Sequence, residues 1–587
     1  MVLGLAVSVT AGAQTATLGQ WSGKFSLPLI AIHMAMLPTG KVLIFSAEHG
    51  VPGIHAWTLD PKTLLKKNVK PPAGWNLDCA GHAFLSDGRL LVSGGTLSFK
   101  PLRGSKRAYL FDPWTETWGR IADMRDGRWY PSNVTLPDGT VLTMAGRSST
   151  ANVENVDIEL WDPRGTNAWK LLGRRQLEDY PQLHLLPDGN VFMAGPAAMT
   201  ERYNPATNRW TKVAKRNAGR RFEAPSVLVP PYLDRVMVIG GFPEPGSPTG
   251  SAEIIDLSSS TPAWTVTRSM GFARYQHDAV VLPDGKILVV GGKSNTSSSS
   301  PKAVFVPETY DPSTGNWTSL APHQVPRMYH STALLLPDGR VLAAGGDRQA
   351  SGEIYSPPYL FRGTRPTISD APAAIAYGKP FRLGFTSTTT ANTVVLIRLS
   401  SVTHSINMGQ RYVRLAQLNQ KSGTVTVAAP KNGATAPPGY YMLFVVSATG
   451  VPSVSRLVRV VPGFGQRTKL GGAIRGTKGL PVHDVSGILV AGSRVSFDLG
   501  NALPGSTGLF VISTARLDQP LLGGVLVPRP DIVIPGVPIS NTGTAGISVT
   551  WPTGVPTGVS AYSQFWFWDK SAPQGVAASN GVRVRTP

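Results

Sequence analysis

One cysteine, Cys79, stands in a chain of 587 residues. A disulfide framework and a C-x-x-C redox pair each need two thiols, so both are excluded within the chain, and without a C-x-x-C pair a zinc reading has little support. No stretch reaches the ~18 to 20 consecutive apolar residues of a membrane-spanning helix, and no membrane span is expected. The chain also lacks a G-x-S-x-G elbow and a P-loop, which removes the usual signatures of hydrolase and nucleotide chemistry. Acidic residues are scarce: 35 Asp and Glu face 56 Lys and Arg, a formal net charge of +21.

That charge falls in short clusters such as Lys66-Lys67, Arg174-Arg175, Lys215-Arg216 and Arg220-Arg221. Such a surface attracts polyanions at long range, and an acidic polysaccharide or cell-envelope surface is the partner it suits. No nucleic-acid-binding motif accompanies it, so no specific nucleic acid is expected. Hydrophobic residues at 42% are enough for several cores, while Gly 63 and Pro 50 mark a turn-rich chain. Met1 to Val9 is apolar and Ala11-Gly12-Ala13 resembles a signal-peptidase site, although no basic segment precedes it. Residues 1–17 therefore read as a signal-peptide remnant, and the protein as secreted or held in the cell envelope or periplasm. It is expected to be a monomer.

A short phrase recurs along the first two thirds of the chain: Pro38-Thr39-Gly40, Asp87-Gly88, Asp138-Gly139, Asp188-Gly189, Asp284-Gly285 and Asp338-Gly339. Each reads as a tight turn between strands. A weaker copy at Asp234 divides the one double-length gap, which makes seven units of about 50 residues, the period of kelch-type propeller blades. Later in most units an Asp-Pro or relative precedes a tryptophan: Trp118, Trp169, Trp210, Trp264 and Trp317. These read as outer strands whose tryptophans pack blade on blade. The last unit, ending at Tyr355-Ser356-Pro357, has no such tryptophan, whereas Trp21 stands alone at the start. The N-terminal strand is thus expected to complete the final blade and protect its edge.

From about Arg365 the pattern changes to alternating Val, Thr and Leu with Gly and Pro turns, as in β-sandwiches. The fold class expected is all-β: a seven-bladed kelch-type propeller over 18–362, an Ig-like sandwich over 363–462 and an accessory sandwich over 463–587. Phe565-Trp566-Phe567-Trp568 in the last reads as a buried strand with an exposed edge rather than a ligand platform.

Counting back from each turn aspartate places Cys79, Tyr130, Tyr180 and His330 eight residues before it, with Tyr275 and Tyr329 nine before. In a propeller these inner-strand starts lie around the central axis. Taken singly, a histidine or tyrosine there is an ordinary structural group. Their shared register is what marks them, because imidazole and phenolate suit Cu(II) and a thiol beside a phenol can be joined to it oxidatively.

These residues resemble the copper radical oxidases, the family of galactose oxidase and glyoxal oxidase, over roughly residues 18 to 462. The resemblance rests on Leu77-Asp78-Cys79-Ala80-Gly81-His82, Arg128-Trp129-Tyr130-Pro131-Ser132, Arg327-Met328-Tyr329-His330-Ser331, Glu353 to Leu360, and Thr403-His404-Ser405 through Arg411. It implies one copper ion and a thioether linking Cys79 to Tyr130. The linked Tyr130, His330 and His404 would be equatorial ligands and Tyr329 the axial one. Because His404 lies beyond the propeller, a loop of residues 403 to 410 must reach back into its axis.

What the resemblance implies in function is an oxidase of a primary alcohol, aldehyde or glycan hydroxyl. The electrons would pass to O2 to give hydrogen peroxide, and Tyr329 would take the substrate's proton. The rival reading is a non-catalytic propeller and sandwich that binds carbohydrate or mediates adhesion. One departure is evident: Ser148 stands where galactose oxidase has a tryptophan over its linked tyrosine. Trp57, Trp129 and His82 are the candidate covers in its place.

Overall fold

The computed structural model describes residues 11–587 apart from 47–54 and short gaps at 73, 165–166, 390–391, 422, 464, 488, 490–493, 553–554 and 557. The apolar start read as a signal remnant, residues 1–10, lies outside the described residues; Ala11–Leu18 is a helix.

Seven antiparallel sheets follow one another along the first 356 residues. The repeated turns share one geometry. In Leu85-Ser86-Asp87-Gly88-Arg89 the Gly88 N–H donates to Leu85 O and the Leu85 N–H to Arg89 O. The glycine has φ +92°, a left-handed conformation costly for other residues. The seventh blade is closed as expected, Gln20 and Trp21 pairing antiparallel with Ser356 and Tyr355. The tryptophans of the outer strands tie neighbouring blades: the indole N–H of Trp118 donates to Val69 O, Trp169 to Ala122 O, Trp317 to Arg268 O and Trp21 to Ala321 O.

A second repeat was not evident from the turns. Arg128, Arg221, Arg274 and Arg327 are buried at the start of four of the inner strands and pair with Glu159, Glu253, Glu308 and Glu353 at 2.7, 3.3, 2.7 and 2.9 Å. Each also donates to a backbone carbonyl of its own blade: Ala145, Gly240, Gly291 and Gly345 in turn. Breaking one partner of such a buried pair is far costlier than its net worth, so these arginines fix where each inner strand begins. Four of the clustered basic residues are engaged within the fold: Arg221 in one of these buried pairs, Arg216 buried on the Ala194, Pro196 and Ala197 carbonyls, and Arg175 and Arg220 paired with Glu201 and Glu178. The clusters consequently carry less free surface charge than their sequence suggests.

The first sandwich has sheets Thr367–Asp370, Phe381–Thr386, Thr424–Val427, Gln417–Lys421 and, facing them in order, Arg456–Val461, Gly439–Val446, Thr393–Arg398, Tyr412–Leu415. One hairpin leaves it. Strands Ser401–Thr403 and Ile406–Met408 join the first blade's sheet, Thr403 pairing with His33. Propeller and first sandwich accordingly form one compact unit rather than two. The second unit, mainly Val461–Pro587, is a separate sandwich with its own core around Phe510, Phe565 and Phe567. In its aromatic run Phe565, Trp566 and Phe567 are buried and Trp568 is 71% exposed.

Candidate active site

Six of the seven inner strands open on a non-glycine residue in the left-handed region: Cys79 (φ +64°), Tyr130 (+66°), Tyr180 (+48°), Glu223 (+46°), Gln276 (+59°) and His330 (+65°). Backbone bonds run between them from blade to blade. Tyr130 N–H donates to Cys79 O, Tyr180 N–H to Tyr130 O and Gln276 N–H to Glu223 O, at 2.9, 2.8 and 3.0 Å. Six such conformations in one ring represent strain of the kind concentrated at functional sites. The remaining blade has the inserted hairpin at its inner edge. Its two-residue turn, His404-Ser405, has φ of +47° and +67°, a type I′ geometry that usually calls for Asn or Gly.

The structure brings Cys79, Tyr130, Tyr329, His330 and His404 together. The Tyr130 and Tyr329 hydroxyls are in hydrogen-bond contact. The His404 ring lies 4.7 Å from that of Tyr130, 5.4 Å from Tyr329 and 4.9 Å from His330, centroid to centroid. Tyr329 stacks on His330 at 3.9 Å. The Cys79 thiol contacts Tyr130, Thr96 and Trp129.

Cys79 and His404 are buried in the site, while Tyr130, Tyr329 and His330 are partly exposed at its mouth. Burial holds the His404 imidazole well below its ordinary pKa, so it is neutral, and burial lifts the phenols of Tyr130 and Tyr329 and the Cys79 thiol well above theirs. His404 Nδ1 bonds Thr403 Oγ1 at 2.6 Å, while its buried Nε2 has no partner. His330 Nδ1 faces Asp347 Oδ1 at 3.5 Å. An orphaned imidazole nitrogen beside a second imidazole and two phenols is a donor set that fits Cu(II). Among the described residues no three His, Cys, Asp or Glu side chains cluster as a metal site, so any ion here depends on the tyrosines.

Behind Cys79 lies a chain of polar groups. The Cys79 N–H donates to His33 Nε2 at 3.1 Å, which leaves the His33 proton on Nδ1, shared with His82 Nε2 at 2.8 Å. His82 Nδ1 in turn meets Ser401 Oγ at 3.0 Å, on the hairpin. His82 is therefore a buried link between blade and hairpin, not a cover for Tyr130.

The cover is Trp129. Its ring stacks on Tyr130 with centroids 3.5 Å apart and planes at 21°, and Tyr180 stacks with Tyr130 at 4.3 Å. Trp57 lies in an outer part of the first blade, paired with Ile44 and Asn68. Ser148 is buried, its hydroxyl accepting the Thr150 N–H.

One ring position escapes the eight-residue count and another is overshadowed by its neighbour. In the blade of Asp284 the count lands on Gln276, but Tyr275 is the more conspicuous residue; its ring instead meets Phe242 at 5.8 Å and the Lys293 ammonium at 5.2 Å. In the blade of Asp234 a longer turn shifts the ring residue from Ser226 to Glu223. The buried arginine supplies the missing register, because Arg128, Arg221 and Arg274 each stand two residues before a ring residue, across an aromatic.

Known proteins are similar to this chain in sequence and in fold. Residues 365–460 match the family model described as galactose oxidase-like, early set domain, and residues 247–359 match that of the glyoxal oxidase N-terminus. The chain is 32% identical over 446 residues to the aldehyde oxidase GLOX of Vitis pseudoreticulata, covering 65% of this chain and 82% of that one. It is 29% identical over 495 residues to galactose oxidase of Gibberella zeae, covering 76% and 71%. Among solved structures, a novel fungal alcohol oxidase of the AA5 family, in complex with copper, matches with a TM-score of 0.68 and 27% identity over 76% of this chain and all of that one.

Proposed function

The chain belongs to the copper radical oxidases, the family of galactose oxidase and glyoxal oxidase, and from that premise we propose which of its residues do the work. It is a copper oxidase. Tyr130, Tyr329, His330 and His404 hold the ion, and Cys79 is joined to Tyr130 as the redox cofactor. The observation that carries this assignment is the convergence of both phenols and His330 on His404, whose buried Nε2 lacks any other partner.

When bound, copper supplies one-electron redox capacity and a Lewis acid that acidifies a substrate hydroxyl. The rest falls to the protein. Tyr329, half of the hydroxyl pair with Tyr130, is a neutral phenol without the metal; held as a phenolate by copper, it would be placed to take the proton of a substrate alcohol or aldehyde hydrate. Thr403 holds the His404 tautomer. Trp129 and Tyr180 sandwich Tyr130, excluding water from both faces of the ring on which an unpaired electron must reside. A primary alcohol, aldehyde or glycan hydroxyl is the substrate, O2 the acceptor and hydrogen peroxide the co-product. Secretion suits the apolar start of the chain, and an acidic polysaccharide suits the net charge of +21. A non-catalytic binding protein would have no need of all five side chains in one strained ring.

Tryptic peptide mass after aerobic copper loading tests the assignment. Cys79 and Tyr130 should appear in one species, lighter by about two hydrogens than its parts. A freely alkylated Cys79 would refute it. Cys79→Ser should still bind copper but release little peroxide; full activity would count against the role of the thiol.

A further inference from the structure

Of the six left-handed ring residues, four are accounted for by the cofactor and its packing: Cys79, Tyr130, Tyr180 and His330. Glu223 and Gln276 remain. They occupy adjacent blades, carry the same backbone conformation and the same blade-to-blade bond as Cys79 and Tyr130, and so open onto the same end of the axis. Their side chains are joined, Gln276 Nε2 donating to Glu223 Oε2 at 2.6 Å.

Two acceptors are left over. Gln276 Oε1 is buried without a partner, where an unmade bond is expensive. Glu223 is only partly buried, and among the described residues its Oε1 has no hydrogen bond, so that oxygen is open to an incoming donor. Glu223 is also near enough to Tyr329 for its charge to act on that phenol. Burial raises the Glu223 carboxyl to about 7, despite Gln276 and Lys293, with Asp347 pushing it further up.

We propose that Glu223 and Gln276 form a substrate subsite that accepts a hydroxyl of a neutral substrate and turns away substrates bearing a carboxylate. Gln276 holds one carboxyl oxygen of Glu223 in place, leaving the other to accept from a hydroxyl beside the carbon being oxidised. An anionic group in the same place would meet like charge in a poorly solvated pocket. This subsite rests on the copper oxidase assignment above.

The test compares the copper-loaded wild type with Glu223→Gln at about pH 8.5, where the carboxyl is ionised. The probes are glycolaldehyde, neutral and hydroxyl-bearing, and glyoxylate, its anionic relative. The ratio of kcat/KM for glycolaldehyde to that for glyoxylate should fall at least about tenfold, chiefly through KM. Glu223→Asp, which keeps the charge, should retain most of the discrimination. Copper content and the mass of the linked Cys79–Tyr130 peptide, measured on the same samples, should match the wild type. An unchanged ratio in an active enzyme would overturn the subsite alone, as would a loss of the linked peptide that lowers both substrates together. Wild-type preference for glyoxylate, or no turnover of glycolaldehyde, would also overturn it. A wild type that never forms the linked peptide would overturn the cofactor assignment beneath it.

Discussion

The rings of Trp129 and Tyr130 stack at 3.5 Å, although the two residues are neighbours in sequence. Successive side chains of a regular strand point to opposite faces, which would have separated them. The left-handed turn at Tyr130, φ +66°, breaks that alternation and brings the indole over the phenol. An aromatic cover is thus supplied from the adjacent position, where Ser148 leaves the more distant one without a ring.

Removing that cover should shorten the life of the Tyr130 radical. Stacking of this kind contributes about 0.5 to 1.5 kcal/mol. Trp129→Leu should therefore lose its radical signal up to about tenfold faster than wild type, as followed by electron paramagnetic resonance, with copper still bound. A radical of unaltered lifetime would show that Tyr180 alone suffices.

The Thr403 hydroxyl is expected to matter to the metal without touching it. It fixes His404 Nδ1, so Thr403→Val frees the ring to turn and take the other tautomer. Loss of such an orienting partner typically costs about 10- to 100-fold in metal affinity. Competition with a copper chelator would measure this, and affinity equal to wild type would exclude the orienting role.

His33 should control how readily Cys79 becomes linked. His33→Leu leaves the buried Cys79 N–H without its acceptor, a loss of about 1 to 3 kcal/mol. It also loosens the conformation that presents the thiol to Tyr130. The linked peptide should accumulate about tenfold more slowly under copper and air, and His33→Gln, which can still accept, should recover part of the rate. Mass spectrometry over time distinguishes these outcomes.

Acid should weaken the copper-free propeller in a defined window. Burial lowers His82 to about 3 from an ordinary value near 6.5, and His277 is lowered in the same direction by burial and by Arg274. Below pH 6.5 the unfolded chain takes up protons that the folded one refuses. Stability is then fully present above 6.5 and falls by about 1.4 kcal/mol per pH unit for His82 until its folded pKa is approached. Thermal unfolding midpoints should fall from pH 7 to pH 5, and His82→Gln should show a shallower fall over the same range.

Much of this was legible in the residues. The turn phrase with its obligatory glycine, the orphan Trp21 and the ring of Cys79, Tyr130 and His330 all follow from fixed spacing, because each blade repeats one local solution to strand, turn and packing. Glu223 was hidden because a longer turn at Asp234 shifts the count by three residues, and Gln276 because the tyrosine beside it draws more notice. The buried Arg221 and Arg274, two residues ahead of them, held the register throughout.

The sequence by itself determined the blades, the closing strand and the set of chemical groups available at the axis, since these depend on local periodicity and residue type. Only the tertiary structure decided which groups meet. Thr403 pairs with His33 across some 370 residues, carrying His404 to Tyr130 and Tyr329. The physical reason is that a left-handed turn or an inserted hairpin is stable only when the packing around it outweighs its strain, and that packing is assembled from every blade at once.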